Sequence, residues 1–314
     1  MTTRRSFVSG ITASGISAAV AYRSLPTCNA DPALANDYID AHVHVWTPDL
    51  KTYPISTEFQ TSAMVPSSFT PEELFSHCRP EGVSRIVLIQ MSFYQYDNRY
   101  MLDCMKQHPG VFSGVGIVDS KQSNVIETMK ALVAEGVRGF RLYTDLEKAS
   151  EWASSDNMNA MWANAAEWGV SMCLLSNPNT LPLIDAMCKQ HPKTRVVIDH
   201  FSRIGVDGTI DPVRLDQLCR LASYPNVYVK TSAFYALGNK RPPYADLGPM
   251  IQRLVKAFGA NRLMWASDCP YQVGSGHTYA DSIALIRDRL DFLSEADKRS
   301  ILRDTAHQVF FAKA

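Results

Sequence analysis

Eight short runs of β-branched and apolar residues recur along the chain, each separated from the next by a stretch with helical spacing. They are "DYIDAHVHV" (37–45), "VSRIVLIQM" (83–91), "VFSGVGIVD" (111–119), "GVRGFRLYT" (136–144), "GVSMCLLS" (169–176), "RVVIDHF" (195–201), "NVYVKTS" (226–232) and "RLMWASD" (262–268). Runs this continuously apolar suit strands buried on both faces. Parallel strands need long crossovers, and helices supply them. Eight strand–helix units in 314 residues therefore predict an α/β fold of one kind, a (β/α)8 TIM barrel. The helices carry their own start and stop signals. Thr70 before Pro71 and Asp211 before Pro212 read as N-caps, and Gly136 and Gly259 as C-terminal stops. The closing "SEADKRSILRDTAHQVFF" predicts a C-terminal helical pair added to the barrel. The long Pro/Ser/Thr-rich connection from Trp46 to Thr70 predicts a loop over the barrel mouth.

Residues 1–35 do not fit the barrel pattern. They begin with Arg4 and Arg5, continue through a short Gly/Ser/Ala-rich apolar run, and offer small residues at Ala33 and Ala35. That run is too short and too polar to span a bilayer stably. It predicts a removable export signal ahead of a barrel over 36–314, and "TRRSFV" resembles the twin-arginine type, which carries folded proteins out of the bacterial cytoplasm. The expected location is periplasmic or extracellular. The seven cysteines form no Cys-x-x-Cys pair and no dense framework, so they read as packed thiols. Lys plus Arg equals Asp plus Glu at 31 each. Nothing in that balance asks for nucleic acid or a membrane surface, and a small-molecule partner is expected. Self-association into a homo-oligomer stays open.

Chemistry in such a barrel gathers where strands end and the following loops begin. Strand one supplies His42 and His44. By the period-two rule these share one face, while Ala41, Val43 and Val45 take the other. Strand two supplies Gln90 and Ser92. Arg141 and Tyr143 come from strand four, Ser176 and Asn177 from strand five, Asp199 and His200 from strand six, Lys230 and Ser232 from strand seven, and Asp268 from strand eight. Imidazoles and charges at one pole of an apolar barrel are costly unless they meet a partner, a metal or a substrate. His77, His108, His191 and His307 sit in or at the ends of helical patterns and read as structural. His277, in the loop after strand eight, lies on the catalytic side.

These residues also carry a family resemblance. "DAHVHVW", "VVIDHF" and "LMWASDCPY" resemble the strand-one, strand-six and strand-eight signatures of the amidohydrolase superfamily, in its amidohydrolase-related (family 2) branch. "QMSFYQYDNRYMLDCMKQHPGVFSGVGIVD" and "NVYVKTSAF" resemble its pyrone-dicarboxylate and sugar lactonase subgroup, and the match runs from about Tyr38 to the C-terminus. The resemblance implies a hydrolase in which water attacks the carbonyl of a small lactone. Strand four lacks the lysine of binuclear members, and strand five lacks the histidine of many mononuclear ones. That leaves His42, His44, His200 and Asp268. The set suits one divalent metal, zinc above all, with an open position. It also suits the metal-free mode that the dicarboxylate lactonase implies. Asp268 is the implied general base, with His200 beside it as a catalytic group. Arg141, Tyr143, Gln90, Arg99, Lys230 and His277 are the expected substrate contacts, the cationic ones for an anionic group. The segment "SAFYALG" lacks the arginine that the dicarboxylate lactonase carries there. A metal-dependent carboxy-lyase acting on an unsaturated or aromatic acid is the alternative activity. A non-catalytic binding protein ranks below both, because all four polar residues are present.

Overall fold

The computed structural model describes residues 37–312, so the expected export segment lies outside the described residues. All eight predicted strands form. They are β1 (Tyr38–Val43), β2 (Val83–Ile89), β3 (Phe112–Gly116), β4 (Val137–Thr144), β5 (Ser171–Ser176), β6 (Arg195–Ile198), β7 (Val227–Ser232) and β8 (Leu263–Ala266). Each pairs in parallel with the next in chain order. The last seam closes β8 against β1. Asp268 N donates to His42 O at 2.9 Å, His44 N donates to Cys269 O at 2.9 Å, and Val43 bridges Cys269. The result is the predicted (β/α)8 barrel.

The helical boundaries follow the caps. Thr70 and Glu73 form a reciprocal capping box at the head of Pro71–Cys78, with Glu73 Oε2 accepting from Thr70 N at 2.6 Å. Asp211 Oδ1 accepts from Val213 N at the head of Pro212–Arg220. Gly136 (φ 99°) and Gly259 (φ 78°) take up backbone angles that favour glycine just past two helices. His108 and His191 occupy the C-cap positions of their helices, in line with a structural role.

Two apolar shells hold the barrel. Inside lie Ile39, Ala41, Val87, Ile89, Val115, Val197 and Met264. Outside, strand residues such as Val43, Ile86, Leu88 and Leu174 pack under the helices. Each fully buried aliphatic side chain contributes about 1.5–3 kcal/mol. The C-terminal segment runs as a single helical stretch from Glu295 to Phe310, widened over Ser300–Asp304, rather than as a separate pair. Its Val309 and Phe310 join the inner shell and plug the barrel from below. Ser113 Oγ donates to Phe310 O at 2.8 Å and Arg195 Nη1 to Val309 O at 3.1 Å. Among the described residues this segment closes the floor of the barrel interior, and the polar strand ends lie at the opposite pole.

Two local irregularities shape that pole. The register of β1 against β2 shifts between Asp40 and Val43. Strict alternation would separate Ala41 from His42. The bulge turns both inward, so Ala41 belongs to the inner shell while Val43 and Val45 face the helices. The expected strand 195–201 also stops at Ile198. His200, Phe201, Ser202 and Arg203 follow with φ of 50°, 54°, 55° and 58°, four consecutive left-handed residues. Each such residue costs about 1–2 kcal/mol in an L-chain. Strain of this kind persists only where surrounding structure over-determines it, and it clusters at functional sites.

Candidate active site

The bulge and the left-handed turn bring His42, His44 and His200 around one carboxylate oxygen. Asp268 Oδ1 lies 3.5 Å from His42 Nε2, 3.6 Å from His44 Nε2 and 3.8 Å from His200 Nε2. The two strand-one nitrogens are 3.2 Å apart. Asp268 itself is left-handed (φ 66°), which swings its side chain across the end of β8 toward β1. Its Oδ2 accepts from the Tyr235 hydroxyl at 2.7 Å. All four clustered side chains are buried.

Each imidazole is held from behind. His44 Nδ1 donates to Ile89 O at 2.9 Å, which leaves an Nε2 lone pair facing the cluster. His200 Nδ1 sits 2.8 Å from Ser232 Oγ, a hydroxyl able to donate or accept. His42 Nδ1 lies 3.5 Å from Asp199 Oδ1 and 3.2 Å from the Lys230 ammonium. Lys230 is fully buried and pairs with Asp199 at 3.0 Å, an ion pair more than a directed hydrogen bond.

Burial drives the His42 pKa well below its ordinary value, reinforced by the adjacent Lys230 charge, and burial also lowers His200. Both rings are therefore neutral near pH 7. Burial pulls the Asp268 carboxyl upward, but the imidazoles of His200, His44 and His42 outweigh it and hold the group well below the usual carboxylate range. Asp199 is likewise held low, because Lys230 and His42 overcome the effect of burial.

The residues fit a divalent cation. Donor atoms of His42, His200 and Asp268 all lie within 4.8 Å of one another, and His44 Nε2 points into the same space. Neutral imidazoles and an ionised carboxylate, each supported by an outer partner, are the donor chemistry of a zinc-type site.

Above the cluster opens a cavity of about 670 Å³ lined by His44, His200 and Asp268. Arg141 and Tyr143 reach it from β4, as expected. Arg141 has no hydrogen-bonding or ionic partner among the described residues. The other expected substrate contacts are directed elsewhere. Gln90 Nε2 donates to Asp97 O at 2.7 Å and braces the loop after β2. Arg99 grips Asp97 at 2.6 Å on the exposed surface. Lys230 is sealed beneath the histidines. His277 Nδ1 meets the Tyr244 hydroxyl at 2.8 Å in a separate cavity on the flank. In each case a closer polar partner within the fold satisfies the side chain.

Among the cavity residues that escaped the sequence reading are Arg203, Tyr235 and Tyr271. Arg203 Nη1 donates to Asn177 Oδ1 at 3.0 Å, and the left-handed turn carries it to the cavity. Its only sequence signal is a position three residues after His200.

The amidohydrolase family model (Amidohydro_2) matches residues 39–312. An L-fucono-1,5-lactonase of Burkholderia ambifaria is 27% identical over 240 residues, covering 76% of this chain and 82% of its own. A solved structure described as a 2-pyrone-4,6-dicarboxylic acid hydrolase from Pseudomonas putida is 25% identical with a TM-score of 0.73, covering 88% of this chain and 98% of that one. An amidohydrolase from Burkholderia multivorans solved with bound zinc, 20% identical with a TM-score of 0.72 over 87% of this chain and 98% of its own, shares the fold.

Proposed function

The chain belongs to the amidohydrolase family, and from that premise we propose that it hydrolyses the ring ester of a small anionic lactone. The observation that carries the reading is the placement of Asp268, with Oδ1 facing three imidazoles at 3.5–3.8 Å under an open cavity that Arg141 and Arg203 also line. The lactone-hydrolase names of its relatives support the same chemistry.

In this mechanism Asp268 Oδ1 takes a proton from water as the water oxygen bonds to the lactone carbonyl carbon. Tyr235 holds Oδ2, so the carboxylate cannot rotate away. The ring C–O bond then breaks, the ring oxygen takes the proton back from Asp268, and a hydroxy acid leaves. Arg141 and Arg203 hold the substrate's anionic group, with Tyr143 beside them. His42, His44, His200 and Asp268 would hold one divalent metal, zinc by donor type, and a bound metal would supply Lewis-acid polarisation and a more acidic water.

The test combines metal analysis of purified protein with a panel of carboxylated five- and six-membered lactones followed by proton release. Hydrolysis of at least one lactone is expected, with close to one equivalent of metal that is lost in His42→Ala. Activity on no lactone, with carbon dioxide released from an unsaturated or aromatic acid, would overturn the hydrolase reading. Full hydrolysis by chelator-treated, metal-free protein would overturn the metal requirement alone.

We also propose that residues 1–35 direct export by the twin-arginine route, on the strength of Arg4 and Arg5 and the weakly apolar run behind them. Replacing both arginines with lysine should leave the protein in the cytoplasm, whereas unchanged export would reject this route.

A further inference from the structure

The cavity is not uniform around its rim. In strand order, Asp268 and His44 occupy the β8–β1 arc, and Arg141 and Arg203 belong to the β4–β6 arc. Those two arcs serve the reacting carbonyl and an anionic group. The β2–β3 arc between them is different. It presents Met91, Tyr96 and Ile117, with Phe59 reaching in from the long loop after β1 and with Ser92 and Gln95 as its neutral polar groups. The nearest carboxylate there, Glu58, accepts from Gln95 Nε2 at 2.6 Å. No cation among the described lining residues stands on this wall to meet a second carboxylate.

Three further observations point the same way. The cavity's 670 Å³ lies well inside the range of about 300–1,000 Å³ that encloses drug-sized ligands, and a single small ring leaves most of it unfilled. Large apolar side chains left exposed are concentrated at this opening. Tyr96, Tyr143, Val206 and Tyr271, each 36–52% exposed, account for half of the eight such residues among the described ones; Tyr96 stands on the β2–β3 arc and the other three on the β4, β6 and β8 sides of the same opening. Apolar surface gathered at one mouth marks a binding face. Finally, Tyr96 and Ile117 also line a second cavity of about 200 Å³, where Val118 and Val125 join them on the apolar side and Asp119, Gln122 and Thr128 form the polar side. One apolar side of that cavity continues the arc outward past β3.

We infer that the substrate carries, besides its lactone ring and anionic group, an apolar arm of aromatic size that lies along the β2–β3 arc toward the second cavity. This rests on the lactonase reading. The arm gains affinity by removing its own surface and that of Met91, Tyr96 and Ile117 from water. The anionic group fixes the ring so that the arm points along β3.

The test uses two probes with the same carboxylated five-membered lactone ring, one unsubstituted and one bearing a phenyl group. Binding is measured by calorimetry and hydrolysis by proton release, with wild type, Tyr96→Ala and Ile117→Asp. The phenyl lactone is expected to bind and turn over at least about tenfold better, as burial of a ring-sized apolar surface implies. In both variants the ratio between the probes should fall toward one. Hydrolysis of both probes with equal affinity overturns the arm and leaves the lactonase standing. Tighter binding of the phenyl probe with no hydrolysis of either supports the arm and overturns the lactonase. Binding of neither probe overturns both.

Discussion

Two buried carboxylates flank the β8–β1 seam, and they behave in opposite ways. Asp40 faces outward from β1. Its Oδ1 accepts from Ser267 N at 2.9 Å and His42 N at 3.2 Å, and its Oδ2 accepts from the Tyr279 hydroxyl at 2.7 Å. With no cation beside it, burial pushes its pKa up to about 6. Asp268 sits just past β8 at the mouth and is held far lower by the imidazoles around it. Burial is common to both, so burial alone does not make a reactive site. Asp40 has both carboxylate oxygens held by fixed donors and serves as a clasp across the seam. Asp268 has one oxygen tied and the other left to face imidazoles and the cavity. The open oxygen, together with imidazoles that keep it charged, separates chemistry from structure.

The largest expected effect breaks the mouth. Asp268→Asn keeps size but removes basicity, so kcat/KM for a lactone should fall about 10²–10⁴-fold. The thermal midpoint should shift little, since this pole serves chemistry rather than the core. Asp40→Asn provides the contrast, with kcat/KM staying within a few-fold of wild type in the same assay.

Beneath the mouth, the charges depend on each other. Lys230→Met leaves Asp199 buried without its cation and should cost about 3–5 kcal/mol in urea unfolding. A loss below about 1 kcal/mol would mean that water reaches Asp199 in the variant.

The seam should respond to pH. The Asp40 pKa is raised on folding, from an ordinary value near 3.8 to about 6. Its contribution is therefore fully present below the unfolded value and is lost as pH rises through about 6, a change of about 2–3 kcal/mol. Stability measured from pH 4 to 7 should show this decline as the difference between wild type and Asp40→Asn, which has no such titration. A parallel pair of curves would contradict it. The smallest effect is expected at Tyr279→Phe, which removes one hydroxyl donor from Asp40 and should cost about 1–2 kcal/mol without altering lactone turnover.

Much of this was legible in the chain. The eight strands, the capped helices and the polar pole follow from local rules: apolar runs, Asp-Pro and Thr-Pro starts, and residues at strand ends. Arg141 and Tyr143 reach the cavity because period-two alternation holds along β4. Other residues defied the same rules. Alternation in β1 pairs His42 with His44 but puts Ala41 opposite them, and the bulge overrides that. Lys230 carries the residue type of an anion binder, yet it is spent on Asp199. Arg203 lies in what reads as ordinary loop, and it reaches the cavity through a turn that no local propensity favours.

By itself, then, the sequence determined the barrel and the pole where its polar side chains gather, because each rests on contacts or periods that span only a few residues, while the four residues around the mouth were singled out from that pole by the family resemblance of their segments. The tertiary structure alone decided which cations meet the cavity and which are consumed by a neighbour, and which of two buried aspartates has its pKa raised and which has it lowered. Those outcomes depend on groups far apart in the chain, as with Asp268 and His42 or Lys230 and Asp199, and the balance of desolvation against partner charge exists only once closure of the barrel has brought them within about 4 Å.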